Sequence, residues 1–149
     1  MISESIHKIK SSFIKTDKKI PAALGCLASV FSYFGHNFPL LEMHKSIIAG
    51  KSQLSLHGIL ETARNEGFMA EGYEGDINFL KEFYKPVILP VEKKTGYDHC
   101  FILYGWCNNK FVIGDPHWGI VEYREDELEV VWKSRAFLLI RPEYQFMAN

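Results

Sequence analysis

The pattern of apolar residues changes once along this chain, near Pro86, and this change most constrains the fold. Before it, apolar side chains recur at the three- and four-residue spacing of amphipathic helices. After it, short runs rich in β-branched and aromatic residues are separated by turn residues, which is typical of antiparallel strands. Helices and strands in separate stretches predict an α+β fold rather than alternating βα units.

Five helices are predicted. The clearest has Pro21 as its first residue, where a missing N–H costs nothing, and it ends at Gly35. Apolar side chains at Leu24, Leu27 and Phe31 lie on one face of this helix. The other helices are predicted over residues 40–48, from Ser55 to before Gly67, from the N-cap Asp76 through Phe83, and over residues 126–132. Residues 1–15 are polar and weakly periodic, and residues 15–19 are predicted to form a charged loop.

Strands are predicted over residues 86–91, 99–106, 110–113, 120–123 and 136–140. Asn108 and Asn109 supply the tight turn of a hairpin between the second and third of these strands. The strands follow one another at short intervals, so the sheet is expected to be mostly antiparallel.

Composition limits the function classes. The chain has 149 residues, 47% of them hydrophobic, which is enough for one domain with its own core. Its net charge of −1 gives no electrostatic basis for binding nucleic acid. No membrane span or signal peptide is visible, and three cysteines without a C-x-x-C pair predict no disulfide framework or metal site. No glycine-rich phosphate loop occurs, so no cofactor is predicted, and a cytoplasmic protein is expected.

His99 and Asp115 are the residues most informative about chemistry. His99 opens an apolar strand, and Asp115 stands in an Asp-Pro turn about two strand lengths later. In a cysteine peptidase, a histidine takes the proton of the cysteine and a carboxylate orients the imidazole. We therefore interpret the two as a hydrogen-bonded pair. The alternative is a satisfied histidine and an ordinary turn aspartate, since Asp-Pro is also a common turn signal.

Several short motifs follow one another along the chain. They are Cys26-Leu27, Tyr33-Phe34-Gly35, Ser55-Leu56-His57-Gly58-Ile59-Leu60 with Ala63, Gly67-Phe68, His99, Asp115-Pro116 with Gly119, Trp132, Leu138-Leu139-Ile140-Arg141-Pro142 and Phe146. In these motifs and their order, the chain resembles the bacteriocin-processing cysteine peptidase domain (peptidase family C-39) of bacterial ABC exporters over residues 13–146. The nucleophile helix of that family reads Gln-x-Asp-x-x-Asp-Cys-Gly-x-x-Cys-Leu, followed by Tyr-Tyr-Gly. The resemblance implies a papain-like fold, with N-terminal helices packed on the sheet.

Three departures from the family pattern decide what the resemblance implies about activity. The nucleophile position holds Ala22, the preceding acidic residue is Pro21, and the glutamine that donates to the oxyanion falls at Thr16. An alanine methyl has no nucleophilic atom, and no carboxamide remains as an oxyanion donor. The chain as it stands is therefore expected not to cleave peptides.

The cysteines give no substitute nucleophile. Cys26 lies in the middle of a helix among Leu and Ala, where a cysteine usually behaves as a small buried apolar residue. Cys100 follows His99 directly and therefore points to the opposite face of the strand. Cys107 is expected to have no role in the chemistry.

Other polar and aromatic residues near the motifs have simpler interpretations. His57 and His117 lack metal-ligand spacing, and a solvated or capping role is expected for both. Lys93-Lys94 is interpreted as the solvated tip of a hairpin. The candidate substrate-binding residues, expected to line a groove beside the active-site position, are Tyr97, Tyr104 and Trp118.

Three functions follow from the resemblance. The leading one is a recognition domain for leader peptides or secreted cargo, catalytically inactive, attached to the transmembrane and ATPase parts of a secretion ABC exporter at the cytoplasmic face of the bacterial inner membrane. The second is an active double-glycine leader peptidase whose cysteine was replaced by design. The third is a stand-alone peptide-binding interaction domain. Since Thr16, Pro21 and Ala22 depart together, natural loss of the nucleophile is favoured over engineering.

Overall fold

A computed structural model describes residues 3–50, 54–93 and 99–143. Its helices are α1 (Ser3–Ser12), α2 (Ala22–Tyr33), α3 (Leu40–Ile48), α4 (Leu56–Asn65), α5 (Ile77–Leu80) and α6 (Glu125–Val131). Its strands are β1 (Phe68–Glu74), β2 (Val87–Val91), β3 (His99–Cys107), β4 (Lys110–Asp115), β5 (Gly119–Tyr123) and β6 (Ala136–Pro142). They form one antiparallel sheet in the order β1-β6-β2-β3-β4-β5, which confirms the α+β prediction. None of the described helices is long and apolar enough to cross a membrane.

Two elements were absent from the predicted pattern. Helix α1 carries few apolar residues, but Ile9 is 4% exposed and joins the core with Phe13. Strand β1 buries only Phe68 and Ala70 and exposes the rest, so its strand conformation comes from pairing with β6 rather than from its own sequence. The remaining predicted elements are present, with ends that differ by at most three residues.

Helix α2 is the centre of the larger of two cores. Every residue from Ala22 to Phe31 is buried, as expected for a helix that is apolar on all sides. It packs on the face of β3 that presents Cys100, Ile102 and Tyr104. The other face of β3 presents Phe101 and Leu103 to a second core beneath α5 and α6. This packing places the beginning of α2 against the edge of the sheet where β3 begins and β4 ends.

Local turn chemistry sets this arrangement. Asn108 and Asn109 have φ of 54° and 61°, the conformation of a two-residue hairpin turn, which joins β3 to β4 as predicted. Asp76 caps α5 by accepting a hydrogen bond from the Phe79 N–H at 2.9 Å, and this helix is shorter than predicted. Pro21 lies one residue before α2, as its N-cap, rather than at its first position.

Candidate active site

His99 and Asp115 lie at the same edge of the sheet because β3 and β4 are antiparallel. His99 begins β3, Asp115 ends β4, and the register pairs Ile102 with Gly114. The His99 Nε2 and the Asp115 Oδ1 are 2.8 Å apart, a hydrogen-bond distance. His99 is 9% exposed and Asp115 is 3% exposed, so the pair lies almost entirely out of water.

Asp115 is ionised in spite of its burial. Burial acts to raise the pKa of this carboxyl, but hydrogen bonds from His99, Lys93 and the His117 backbone N–H outweigh it and lower the pKa from 3.8 to about 2. The His117 N–H lies 3.1 Å from Oδ1. An ionised carboxylate accepts hydrogen bonds only, so the Nε2 of His99 carries a proton, and in the neutral imidazole Nδ1 is then the acceptor nitrogen.

Lys93 was predicted to be a solvated hairpin tip, and this was wrong. Its side chain is 41% exposed, but its Nζ lies 3.0 Å from the Asp115 Oδ2. Lys94 lies outside the described residues. Because the chain between Lys93 and His99 is short, the lysine that follows β2 reaches the same carboxylate as the histidine that begins β3.

The start of α2 is held against the turn that follows β4. The Thr16 N–H donates to the Pro116 carbonyl at 2.8 Å, and the His117 Nε2 donates to the Ile20 carbonyl at 2.6 Å. A Cβ on Gly25 would lie 2.7 Å from the Pro116 Cβ, so only glycine permits this approach. These contacts hold the beginning of α2 against the turn that follows Asp115.

Ala22, the residue that the sequence predicts at the nucleophile position, is the first residue of α2. Its methyl group is 2% exposed at the uncapped N-terminus of α2, where a thiolate would be favoured by the helix dipole. Thr16 is buried, and its hydroxyl finds no hydrogen-bond partner in the described part of the chain. This hydroxyl lies 3.1 Å from the position that a Cβ on Gly25 would take, so it is packed against α2.

Cys26 is a core residue, as predicted, and Cys100, on the opposite face of β3 from Phe101, is one as well. Both belong to the cluster around α2, and Cys26 has no exposed surface. Burial, with a smaller contribution from its hydrogen bond with Cys100, raises the pKa of the Cys26 thiol well above its ordinary value. A thiol of this kind stays protonated, which is the opposite of what a nucleophile requires. Cys107, at the end of β3, is partly buried.

The three candidate substrate-binding residues differ in position. Tyr104 is 2% exposed and packs on Gly114 and α2, so its expected place in an open groove was wrong. Trp118 is 68% exposed and follows His117 directly, which leaves it beside the site. Tyr97 lies outside the described residues.

His117 has a structural contact that the sequence did not indicate. It is half-buried, its ring centroid lies 5.2 Å from that of His99, and its hydrogen bond to Ile20 crosses 97 positions of sequence. The one available signal was its place two residues after Asp115 in a tight turn. His57, by contrast, is exposed and lies 3.7 Å from Glu61. Within residues 3–50, 54–93 and 99–143, no group of three or more His, Cys, Asp or Glu could hold a metal ion.

Comparison with known proteins gives consistent matches. The profile of the Peptidase C39 family matches residues 10–145. The chain is 25% identical over 95 residues to the pediocin PA-1 transport/processing ATP-binding protein PedD of Pediococcus acidilactici, an alignment that covers 62% of this chain and 13% of that protein. The chain thus corresponds to a small part of the curated relative that it matches.

Two solved structures show the same fold. The peptidase domain of Streptococcus ComA, described as a bi-functional ABC transporter involved in quorum sensing, matches with a TM-score of 0.77 and 22% identity over 87% of this chain and 97% of that domain. A double glycine motif protease from an AMS/PCAT transporter, solved in complex with the leader peptide, matches with a TM-score of 0.73 and 23% identity over 87% of this chain and 89% of that one. The chain therefore belongs to the Peptidase C39 family and has the papain-like α+β fold of its peptidase domains.

Proposed function

We propose that this domain binds a double-glycine leader peptide, or a secreted cargo with a similar segment, and does not cleave it. The observation that carries the proposal is the buried hydrogen bond between His99 and Asp115, set beside a helix whose first residue is Ala22. The orienting half of a cysteine peptidase site is present, whereas the nucleophilic half is an alanine methyl.

The chemical argument against cleavage has two parts. Peptide hydrolysis by this family requires a sulfur that attacks the carbonyl and a donor that stabilises the resulting oxyanion. Ala22 supplies no sulfur, and Cys26 and Cys100 are buried in the core. The short side chain of Thr16, buried against Gly25, does not replace a glutamine carboxamide.

Two other residues, His99 and Trp118, support peptide binding. His99 offers an acceptor nitrogen at Nδ1, and Trp118, in the turn that follows Asp115, offers the apolar surface of an exposed indole. An acceptor and a flat apolar side chain suit an extended peptide, whose backbone N–H groups need partners once they leave water. The related protease that was solved with its leader peptide supports this class of ligand.

We infer that the transmembrane and ATPase parts of an ABC exporter are the partners of this domain, which would place it at the cytoplasmic face of the bacterial inner membrane. Support comes from PedD, named as a transport/processing ATP-binding protein, and from ComA, named as an ABC transporter. Affinity purification with this domain as the bait tests the assignment. The transmembrane and ATPase parts should copurify with the domain, and they should not be recovered when the domain is deleted.

A second candidate is an active leader peptidase in which alanine was introduced at position 22. The geometry that favours it is the intact dyad, because the Nε2 of His99 is already bound to Asp115 as general-base chemistry requires. Reverting Ala22 to cysteine separates the two candidates.

The binding proposal is tested by fluorescence anisotropy with synthetic leader peptides encoded near the gene. Saturable binding is expected for the peptide with Gly-Gly, and at least about tenfold weaker binding for the same peptide with Val-Val, a difference of 1.4 kcal/mol. Mass spectrometry should recover the Gly-Gly peptide intact after long incubation. Equal affinity for both peptides, or a peptide cut after Gly-Gly, would contradict the proposal.

A further inference from the structure

Lys93 binds the second oxygen of the carboxylate that orients His99. The Lys93 Nζ lies 3.0 Å from Oδ2 of Asp115, and the His99 Nε2 lies 2.8 Å from Oδ1. Lys93 follows β2 by two residues and His99 begins β3. The two residues that flank segment 94–98 therefore both contact the Asp115 carboxylate. The ammonium of Lys93 also lies 5.7 Å from the ring centroid of Phe101, the aromatic residue that contacts His99 edge-on.

The contact between Lys93 and Asp115 changes which group supplies the positive charge beside this carboxylate. A buried carboxylate is stable only when an opposite charge or several hydrogen bonds compensate it. In an active cysteine peptidase an imidazolium can be stabilised by both the carboxylate and the thiolate, but Ala22 has no charge to offer. Lys93 supplies the positive charge that Asp115 needs, so the orientation of His99 does not depend on a charged imidazole.

We propose that Lys93 is a positioning residue of this site, which fixes the Asp115 carboxylate so that neutral His99 keeps its proton on Nε2 and presents Nδ1 as a hydrogen-bond acceptor. With one oxygen on Lys93 and the other on His99 and the His117 N–H, the carboxylate cannot rotate without losing a contact. The donor that Nδ1 would accept from is a backbone N–H of the bound peptide, and this last step rests on the proposed function.

The protonated nitrogen of His99 is observed by imidazole ¹⁵N NMR of the peptide-free protein at neutral pH. The unaltered protein is expected to show His99 as a single tautomer with the proton on Nε2. Lys93→Met should give a mixture of both tautomers, and Lys93→Arg should restore the single one because it keeps the charge. Lys110→Met, at an exposed lysine of β4, is the matched control and should leave the spectrum unchanged.

Two results would overturn the proposal: an unchanged His99 spectrum in Lys93→Met, or a failure of Lys93→Arg to restore it. If Lys93→Met does not fold, the ion pair is tested through the ammonium ¹⁵N signals of the unaltered protein and of Asp115→Asn. The Lys93 signal should move to that of exposed lysines in Asp115→Asn, and an unmoved signal would refute the ion pair. These readouts need no peptide, so a failure of peptide binding alone would contradict the proposed function and not the role of Lys93.

Discussion

The imidazole of His117 donates a hydrogen bond from Nε2 to the backbone carbonyl of Ile20 at 2.6 Å. A carbonyl oxygen only accepts, so the proton of this imidazole lies on Nε2. Ile20 stands two residues before Ala22, and His117 stands two residues after Asp115 in the turn that follows β4. This bond therefore joins the start of α2 to the turn that follows Asp115.

His117→Ala should weaken both the fold and peptide binding. Loss of one hydrogen bond, which leaves the Ile20 carbonyl without that donor, is expected to lower the free energy of unfolding by about 1 kcal/mol. Peptide affinity should fall as well, because α2 is then less firmly held beside His99. Urea unfolding and fluorescence anisotropy measure the two effects. His57→Ala, at an exposed imidazole of α4, is the control and should change neither by more than about 0.5 kcal/mol.

Acid should remove the stabilisation that Asp115 provides. Its carboxyl has a pKa of about 2 in the folded protein and an ordinary value of 3.8 when the chain is unfolded. Folding therefore favours the ionised form, so the contribution is complete above about pH 5 and is lost as the pH falls through 3.8 towards 2. The contribution at neutral pH is roughly 2 kcal/mol.

Urea unfolding between pH 2 and 7 measures this contribution as the difference between the unaltered protein and Asp115→Asn, which lacks the titrating group. The difference should shrink by roughly 2 kcal/mol as the pH falls from 5 to 2. In Lys93→Met the lower end of this window should rise by about one pH unit, because an opposite charge is lost from the folded carboxylate, while the upper end, set by the unfolded chain, stays in place. Parallel pH profiles for the unaltered protein and Asp115→Asn would contradict the assignment.

Gly25→Ala should destabilise the protein although alanine is the better helix former. The new methyl group would lie 2.7 Å from the Pro116 Cβ, so α2 or the turn after Asp115 must shift. The expected loss is about 1–2 kcal/mol, because overpacking exceeds the gain in helix propensity. Gly72→Ala in β1 is the control, since its methyl group would meet Leu138 and Leu60 at 3.6 and 3.7 Å, an ordinary contact. Thermal unfolding of both variants and of the unaltered protein measures the loss of stability. A Gly25→Ala protein that is more stable than the unaltered one would refute the close approach.

The sequence predicts those elements whose own residues carry a strong pattern. Helix α2 is apolar along its whole length and was predicted within a residue or two, and the Asn108-Asn109 turn was predicted from its chemistry alone. Helix α1 and strand β1 were not predicted, because their conformation depends on partners elsewhere in the chain. Helix α1 depends on the packing of Ile9 in the core around α2, and β1 depends on its pairing with β6.

The contacts of the candidate site likewise include some that the sequence predicts and some that it does not. His99 and Asp115 could be paired from their places in the strand pattern, because antiparallel strands bring a start and an end together. The contacts of Lys93 and His117 depend on how the chain leaves β2 and on where α2 begins, and no local rule indicates which lysine reaches a buried carboxylate. Tyr104 was misplaced because an aromatic residue in a central strand can serve the core or a groove equally well by its sequence.

Ala22→Cys should restore a reactive thiol but little catalysis. The new sulfur would stand at the N-terminus of α2, where the helix dipole favours the thiolate, and iodoacetamide should alkylate it at neutral pH. Cleavage of the leader peptide should nevertheless be about 10²–10³-fold slower than in a variant with a complete oxyanion hole, because Thr16 lacks the carboxamide that donates to the oxyanion. That variant is Thr16→Gln with Ala22→Cys, and single-turnover assays of the two proteins against the same peptide measure the difference.

Fast, specific cleavage after Gly-Gly by the single variant would show that only the cysteine was missing, and it would favour an introduced alanine. A reactive thiol with slow cleavage, accelerated by glutamine at position 16, is the result expected from natural loss of the whole catalytic apparatus around a retained binding site.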